Sequence, residues 1–552
     1  MKKLFQSILL VLATTTYSFS QVDNVDVKEA TYSISEPYKV VDAPVKYYFQ
    51  QDNELMTVKI KGAKVTIQKL STSDLSFKSV NVYKEMPKGF LLEGVEEINN
   101  KYYMFYSVWD KPNKSEQLFC KEIDFANGTL DDGEKQLIKT DGKVTGAFAA
   151  SSWGWGGSVT DKFDFYKSYD ETKFMVTYRK KPQEKKDARS YDLIGMFVFD
   201  ENMDEIWGDE VKMPYTEKKM DNVDYAVDKK GNSYILARVY SDNSTDLKKR
   251  KSEVANYHME ILRVPANSKD IKSKDIEKTV IKIKDKFIQS ISLYEGPEDY
   301  MLCAGFYNKG KNLTGANGVF QFKIGVEGDL YDTKSYEFPQ KMLNQYMTAK
   351  DQKRNDKKAA KGKGEFSELV PRHFFIGADG SIVLIGEQFF IVEVTTTDSK
   401  GNTRTTYYYH YNDIIITKIG ADGELAWMKK LPKRQTGVNS GRSGMSFAYM
   451  YDEDSKNHYL VFLDNVKNMK LETDQRPFEH RNGAGGFLTA YEVSHEEGNV
   501  SKVSILDTKK AQGKKIYQFG VERVFKTGPG EFVFEAYKKK KQDILVKVDL
   551  NH

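Results

Sequence analysis

Short runs of alternating apolar and polar residues, broken at Gly, Asn and Asp, recur from one end of the chain to the other. In eight places a tight turn splits two such runs. The turns are Asp52-Asn53-Glu54, Asn99-Asn100-Lys101, Asp170-Glu171-Thr172, Asp228-Lys229-Lys230-Gly231, Glu295-Gly296-Pro297-Glu298, Ala378-Asp379-Gly380, Asp452-Glu453-Asp454-Ser455 and Thr527-Gly528-Pro529-Gly530. Each leads into an apolar, aromatic-rich run such as Tyr234-Ile235-Leu236-Ala237 or Phe532-Val533-Phe534. A period of two puts alternate side chains on opposite faces, so these runs predict strands joined as hairpins. A second set of turns follows each pair, as at Asp124-Phe125-Ala126-Asn127-Gly128, Asp200-Glu201-Asn202-Met203 and Gly420-Ala421-Asp422-Gly423. Gly, Asn and Asp there supply the positive backbone angles that hairpins need. The unit is four strands, A to D, repeating at roughly 55 to 95 residues, which predicts an all-β propeller.

The last unit is incomplete: strands are expected at 521–525, 531–537 and 543–549, and then the sequence stops. A missing fourth strand would leave an open edge. The alternating stretch Ala30-Thr31-Tyr32-Ser33-Ile34-Ser35 is expected to complete the last blade and close a ring of eight. Seven blades is the alternative, and a pair of packed sandwiches a further one. Because strands alternate in direction, A–B and C–D turns share one face, and B–C and D–A connections share the other. The stretches expected as long loops all fall on the second face: 111–117, 180–189, 241–257, 308–318, 395–406, 466–486 and the insertion 340–370. Long surface connections carry function disproportionately, so this face is the expected binding surface.

Composition narrows the class. The charged residues nearly cancel, with 84 Lys and Arg against 79 Asp and Glu. Such a balance argues against a nucleic-acid binder. Lys2 and Lys3, the apolar run 8–13 and the small residues Ser18-Phe19-Ser20 before Gln21 read as an export signal over residues 1–20. Residues 21–552 then form one expected domain, and no later stretch is apolar for long enough to cross a bilayer as a helix. The expected location is the periplasm, the periphery of the outer membrane or the cell exterior. The Ser-Phe-Ser-Gln ending resembles exported proteins of Bacteroidota-type bacteria, and the whole chain is similar to uncharacterised secreted propellers of that kind. The two cysteines, Cys120 and Cys303, sit in apolar runs of different units and are expected to be buried and unbridged.

Several residue groups could carry chemistry. Residues 350–364 hold seven Lys or Arg against two Asp. Lys353, Arg354, Lys357 and Lys358 could dock an acidic partner, although like-charge blocks commonly form solvated inserts. Trp153 and Trp155, on the glycine-rich D–A connection 151–158, could stack on a sugar ring or fill gaps between blades. Arg372, His373, Asp221, Asp224 and Arg523 lie where A strands begin and could line a polar channel mouth. Asp221 and Asp224 are the carboxylates that a glycoside hydrolase would use there; satisfied ion pairs are the simpler expectation. The seven histidines show no ligand spacing, and the acidic turns 124–132 and 452–454 lack the calcium-loop pattern. Weak Ca2+ binding is the most they support, and no cofactor is expected.

Gly420-Ala421-Asp422-Gly423-Glu424-Leu425-Ala426-Trp427, echoed at 202–207, resembles the Asp-Gly turns of quinoprotein-like and Asp-box propellers. It lacks the Ser two before Asp422 and the Gly two after it. There is no Gly-x-Ser-x-Gly elbow and no phosphate-binding glycine loop. The expected function is a non-enzymatic binding or scaffold propeller. It would recognise a protein of the cell envelope or a glycan through its loop face, as an accessory or plug subunit of an outer-membrane complex. A carbohydrate-active hydrolase or lyase is the alternative.

Overall fold

The computed structural model describes residues 27–146, 162–181, 190–247, 249, 254–266, 271–281, 286–309, 315–362, 364–438, 444–471, 475–481 and 485–550. The expected export signal, Trp153 and Trp155 lie outside the described residues. Among those described, the strands form eight sheets, each built mainly from strands close in sequence. The first sheet sets the pattern: Val45–Gln51, Glu54–Lys61, Lys64–Ser71 and Phe77–Tyr83 pair antiparallel in chain order. The sheets that follow cover 91–141, 144–216, 220–281, 287–337, 369–438, 448–507 and 524–549. Turn chemistry explains the hairpins: Asp52, Asn99, Asn100, Gly231, Gly380 and Gly530 all take positive φ.

The eighth sheet supplies three strands of its own, Val524–Gly528, Glu531–Lys539 and Gln542–Asp549. Residues Val521–Arg523, read above as strand, form one 3-10 turn instead. Thr31–Ile34 adds antiparallel to this sheet, with Thr31 opposite Asp549 and Ile34 opposite Val546. Just before it, Val27–Glu29 runs parallel to Val500–Asp507 on the edge of the seventh sheet.

Consecutive sheets pack face to face through apolar seams. Phe105 and Leu118 of the second sheet meet Phe163 and Phe174 of the third. Trp207 of the third meets Val239 of the fourth, and Phe306 of the fifth meets Leu369 and Leu384 of the sixth. Val461 and Ala490 of the seventh meet Phe532 and Val546 of the eighth. The eighth sheet then returns to the first, where Val533 and Leu545 meet Leu55 and Leu70. Each large buried side chain contributes about 1.5–3 kcal/mol, so these seams are the main cohesion between sheets.

The eighth-to-first seam differs in kind. Its apolar part is small, and a buried charge cluster fills the rest. The Lys59 ammonium lies 2.5 Å from Glu535, with both side chains fully buried. Tyr38 and Tyr48 donate to the same carboxylate at 2.9 and 2.8 Å. Asp543 lies 3.9 Å from Lys59.

Polar stitches also join the sheets near their innermost strands. A bulge interrupts the A strand at Glu93, Val223, Gln289 and Arg372 in four different sheets. A bulge re-aims the side chain at or beside it. Glu93 accepts from the Lys162 and Phe163 amides of the next sheet, and Gln289 donates to the Leu369 carbonyl of its neighbour. The B strand facing such a bulge must come close: a Cβ on Gly305 would lie 2.0 Å from the Ser290 carbonyl oxygen. On the side of the short turns, Glu295 accepts from the Lys229 and Tyr169 amides, both at 2.7 Å, tying three A–B turns together.

Candidate functional site

Two insertions of the sixth sheet and its approach build the most elaborated region. The basic stretch, expected as a solvated insert, is ordered as two helices, Gln340–Asn344 and Ala349–Ala359. Thr348 caps the second by accepting from the Asp351 amide, while Lys357 and Lys358 lie in its last turn, where the helix dipole favours cations. Asn344 holds the pair together: its amide donates to Asp356 at 2.6 Å, and its carbonyl oxygen accepts from Asn355 at 2.7 Å.

The second insertion was read as a loop, 395–406. It is instead a continuation of the sheet. Ile382–Thr397 and Thr403–Ile419 pair along almost their whole length, with a tight turn at 398–402 and Gly401 at φ 83°. The base of this hairpin is extended by Gln435–Val438 and by His480–Arg481, a strand from the B–C connection of the seventh sheet. The stretch 111–117 is likewise no loop, because strands 101–110 and 115–124 meet through a four-residue turn.

Between the helical pair and the hairpin base lies a cleft of about 340 Å³. Its walls come from a D–A connection, the hairpin and the next B–C connection. Six cations line it (Arg354, Lys358, Lys430, Lys433, Arg434 and Arg476) against three carboxylates, Asp351, Glu365 and Asp413. Several are already engaged. Lys433 is buried against Glu387 at 2.6 Å, and Arg372 reaches the same carboxylate at 2.6 Å from the other side. Burial pushes the Lys433 ammonium below its usual range. Lys430 is 3.2 Å from Asp413 and donates to the Gln345 carbonyl, which fastens the helices to the sheet. Arg354 pairs with Asp351 at 3.2 Å. Arg434 is different: burial, then the nearby Arg476, depress its pKa. Half-buried Arg434 and exposed Arg476 both line the cleft wall, and Glu479 and Asp413 offset part of the repulsion on Arg434; an added anion would act in the same sense. Phe390, stacked on His410 at 4.7 Å, adds an apolar patch beside them.

The sequence-predicted residues divide. Arg354 and Lys358 line the cleft; Lys353 and Lys357, on the same helix, are exposed and do not. Arg372 buttresses the cleft through Glu387. His373 packs between Phe447 and Tyr449, and burial lowers its pKa to about 4. Asp221 accepts from the Tyr240 hydroxyl at 2.6 Å, within its own sheet. Asp224 accepts from its own neighbour Tyr225 and from the Leu293 amide of the fifth sheet. Arg523 lies 3.4 Å from Glu522. These residues thus serve as local stitches. Sequence reading missed Lys430, Lys433, Arg434 and Arg476. The signal available was Lys429-Lys430 and Lys433-Arg434 closing an otherwise apolar strand. It also missed a buried pair within the seventh sheet, His458 and His495, whose ring nitrogens lie 2.9 Å apart. Among the described residues no cluster of three or more His, Cys, Asp or Glu could hold a metal ion.

Asp224 gives a pH test. Burial raises its carboxyl to about 7, so the folded chain holds this proton more tightly than the unfolded chain does. Its contribution to stability is therefore present at low pH and is lost as pH rises through about 4 to 7. Asp224→Asn keeps an acceptor oxygen for only one of the two amides, since Tyr225 bonds Oδ1 and Leu293 bonds Oδ2. Denaturation is expected to show the variant starting less stable than wild type at about pH 4, by the lost hydrogen bond, and gaining about 1–3 kcal/mol relative to wild type by about pH 8.

No protein-family model matches the chain, and no curated protein does. Solved structures align with it loosely. A prolyl endopeptidase is 10% identical with a TM-score of 0.34, over 92% of this chain and 55% of that one. Drosophila Plexin A in complex with Semaphorin 1b is 11% identical with a TM-score of 0.30, over 96% and 88%. The Dos1 propeller is 8% identical with a TM-score of 0.28, over 60% and 62%. The chain spans about half the length of the prolyl endopeptidase. At this distance the likenesses carry no functional information.

Proposed function

We propose that this chain is an exported, eight-bladed β-propeller, closed where Thr31–Ile34 joins the last sheet. It acts as a binding module for a protein or glycan partner. The partner presents an acidic group to the cleft between the helical insertion and the sixth-sheet hairpin. An accessory subunit of an outer-membrane assembly is the specific form of this reading. One observation carries it: the cleft is lined by six cations, Arg434 and Arg476 among them, against three carboxylates. Clefts lined with one sign of charge raise the local concentration of the opposite sign. The hydrolase alternative would need Asp221 and Asp224 to face one substrate, and both carboxylates already serve structural hydrogen bonds.

The test uses the tagged mature chain. Affinity capture from its own envelope, and binding to an acidic peptide and to a sulfated oligosaccharide, are compared for wild type and Arg434→Glu with Arg476→Glu. Reversing two charges should weaken the preferred ligand by about tenfold or more and flatten the salt dependence of binding. Equal capture and equal salt dependence would remove the cleft from the reading. Turnover of a glycan, abolished by Asp221→Asn, would replace it with the hydrolase.

A further inference from the structure

The outer half of the eighth-to-first seam is open, and it is shaped. A groove of about 680 Å³ runs between the segment 38–43 and the last strand of the first sheet. Register puts Phe77, Val80 and Val82 on one face of that strand, opposite Leu70, Gln68 and Thr66. All three are exposed, at 41, 48 and 44%. Val40, Val41 and Ala43 form the facing wall. One end is closed by the rings of Tyr38 and Phe77, 5.6 Å apart. The other end is cationic. Lys64 lies two residues before Thr66, hence beyond Val82 on the same face, and directly across from Lys61. Lys61 pairs with Asp42 at 3.0 Å; Lys64 has no ion pair among the described residues. Lys59, whose ammonium is committed to Glu535, contributes to the floor.

We propose that this groove binds a single-chain amphipathic anion, a long-chain carboxylate of the fatty-acid class. The tail lies along Val82, Val80 and Phe77 towards Tyr38, and the headgroup lies at Lys64. The stripe from Phe77 to Val82 spans about 17 Å at strand rise, close to the reach of an extended acyl chain. Lys64 supplies the headgroup charge at one end; Lys39 also lines the groove, next to Tyr38, so the tail runs past the stem of a second cation. An apolar body with a few placed polar groups is the usual make-up of a small-molecule site. The proposal is independent of the basic cleft, which lies on the sixth sheet.

The experiment is displacement of a fluorescent polyene fatty acid from the mature chain by palmitate or by hexadecanol, the uncharged match. Palmitate is expected to displace the probe at lower concentration than hexadecanol, by about fivefold. Val80→Glu, on an exposed site, should weaken both ligands by about tenfold or more. Lys64→Glu should weaken palmitate alone, by about fivefold. Arg434→Glu should change neither. A photoreactive fatty acid should label 38–43 or 77–83, which keeps the idea testable if a variant folds poorly. No displacement, equal displacement by acid and alcohol, binding indifferent to Val80→Glu, or labelling elsewhere would each overturn the proposal.

Discussion

Lys59→Met is expected to lower the unfolding free energy by about 3–5 kcal/mol, the usual cost of removing one partner from a buried ion pair. The ammonium sits at the centre of the eighth-to-first seam, 2.5 Å from Glu535 and 3.9 Å from Asp543. Burial pushes the Glu535 carboxyl up, and Lys59 with Lys46 more than reverses this, holding it below the usual carboxylate range. For Asp543, burial and the Glu535 charge act together and push its carboxyl above that range. Met fills similar space but leaves two buried carboxyls facing each other. The sign of the pH response follows. In wild type the Glu535 contribution is present above its unfolded pKa and is lost as acid protonates it. In the variant both carboxyls sit high, so stability should instead improve as pH falls towards about 4. Lys59→Met with Glu535→Leu should recover part of the loss, because the Glu535 charge leaves with its closest partner, while Lys46 loses its carboxylate and Asp543 stays buried. Urea titration measures the energies. Proteolysis between residues 30 and 44 should speed up in the single variant and less in the double. A loss below about 1 kcal/mol would show that water already solvates this cluster.

The second large effect is expected at Glu387. Its carboxylate is fully buried between Arg372 and Lys433, each at 2.6 Å, and also accepts from Ser446 at 2.9 Å. Glu387→Ala removes the carboxylate that ion-pairs with both cations and opens a void. The expected cost is about 3–5 kcal/mol. Glu387→Gln keeps the volume and one acceptor, so its cost should be smaller, about 2–3 kcal/mol. Lys433 lines the cleft beside Arg434, so either change should also alter anion binding there. A double-mutant cycle of Glu387→Gln with Lys433→Met separates the pair from its surroundings. Coupling near zero would mean that the cleft wall is held by its backbone alone.

The strand hairpins and their turns were legible because the chemistry is local. Asp52, Asn99 and Gly231 announce themselves in neighbouring residues, and the backbone does what those residue types favour. The long hairpin of the sixth sheet was hidden for the same reason in reverse. Thr395 to Asn402 reads as a polar loop, yet only Asp398–Asn402 turns, and the threonines suit exposed strand. The cap at Thr348 and the Asn344 contacts that order the helices at 340–359 depend on the fold and leave no local signal in the basic stretch. What could not be read was every site built across the repeat. Lys59 and Glu535 are 476 residues apart, and Arg354 and Arg476 are joined only because two connections lean over one sheet. The bulges at Glu93 and Arg372 also leave no mark in a pattern of alternation, since one extra residue looks like noise in a short run.

The pairing of Thr31–Ile34 with Gln542–Asp549 has a temporal consequence. Residues 31–34 are made about 500 residues before the partners they pair with. Sheets built from neighbouring strands can assemble as they appear, but the eighth sheet stays short of this strand pairing until residues 542–549 follow. A contact spanning this much sequence is slow to form. During that interval Val533 and Leu545, together with Leu55 and Leu70, have no cover, so any helper that shields a nascent chain would be needed at this junction more than at any other.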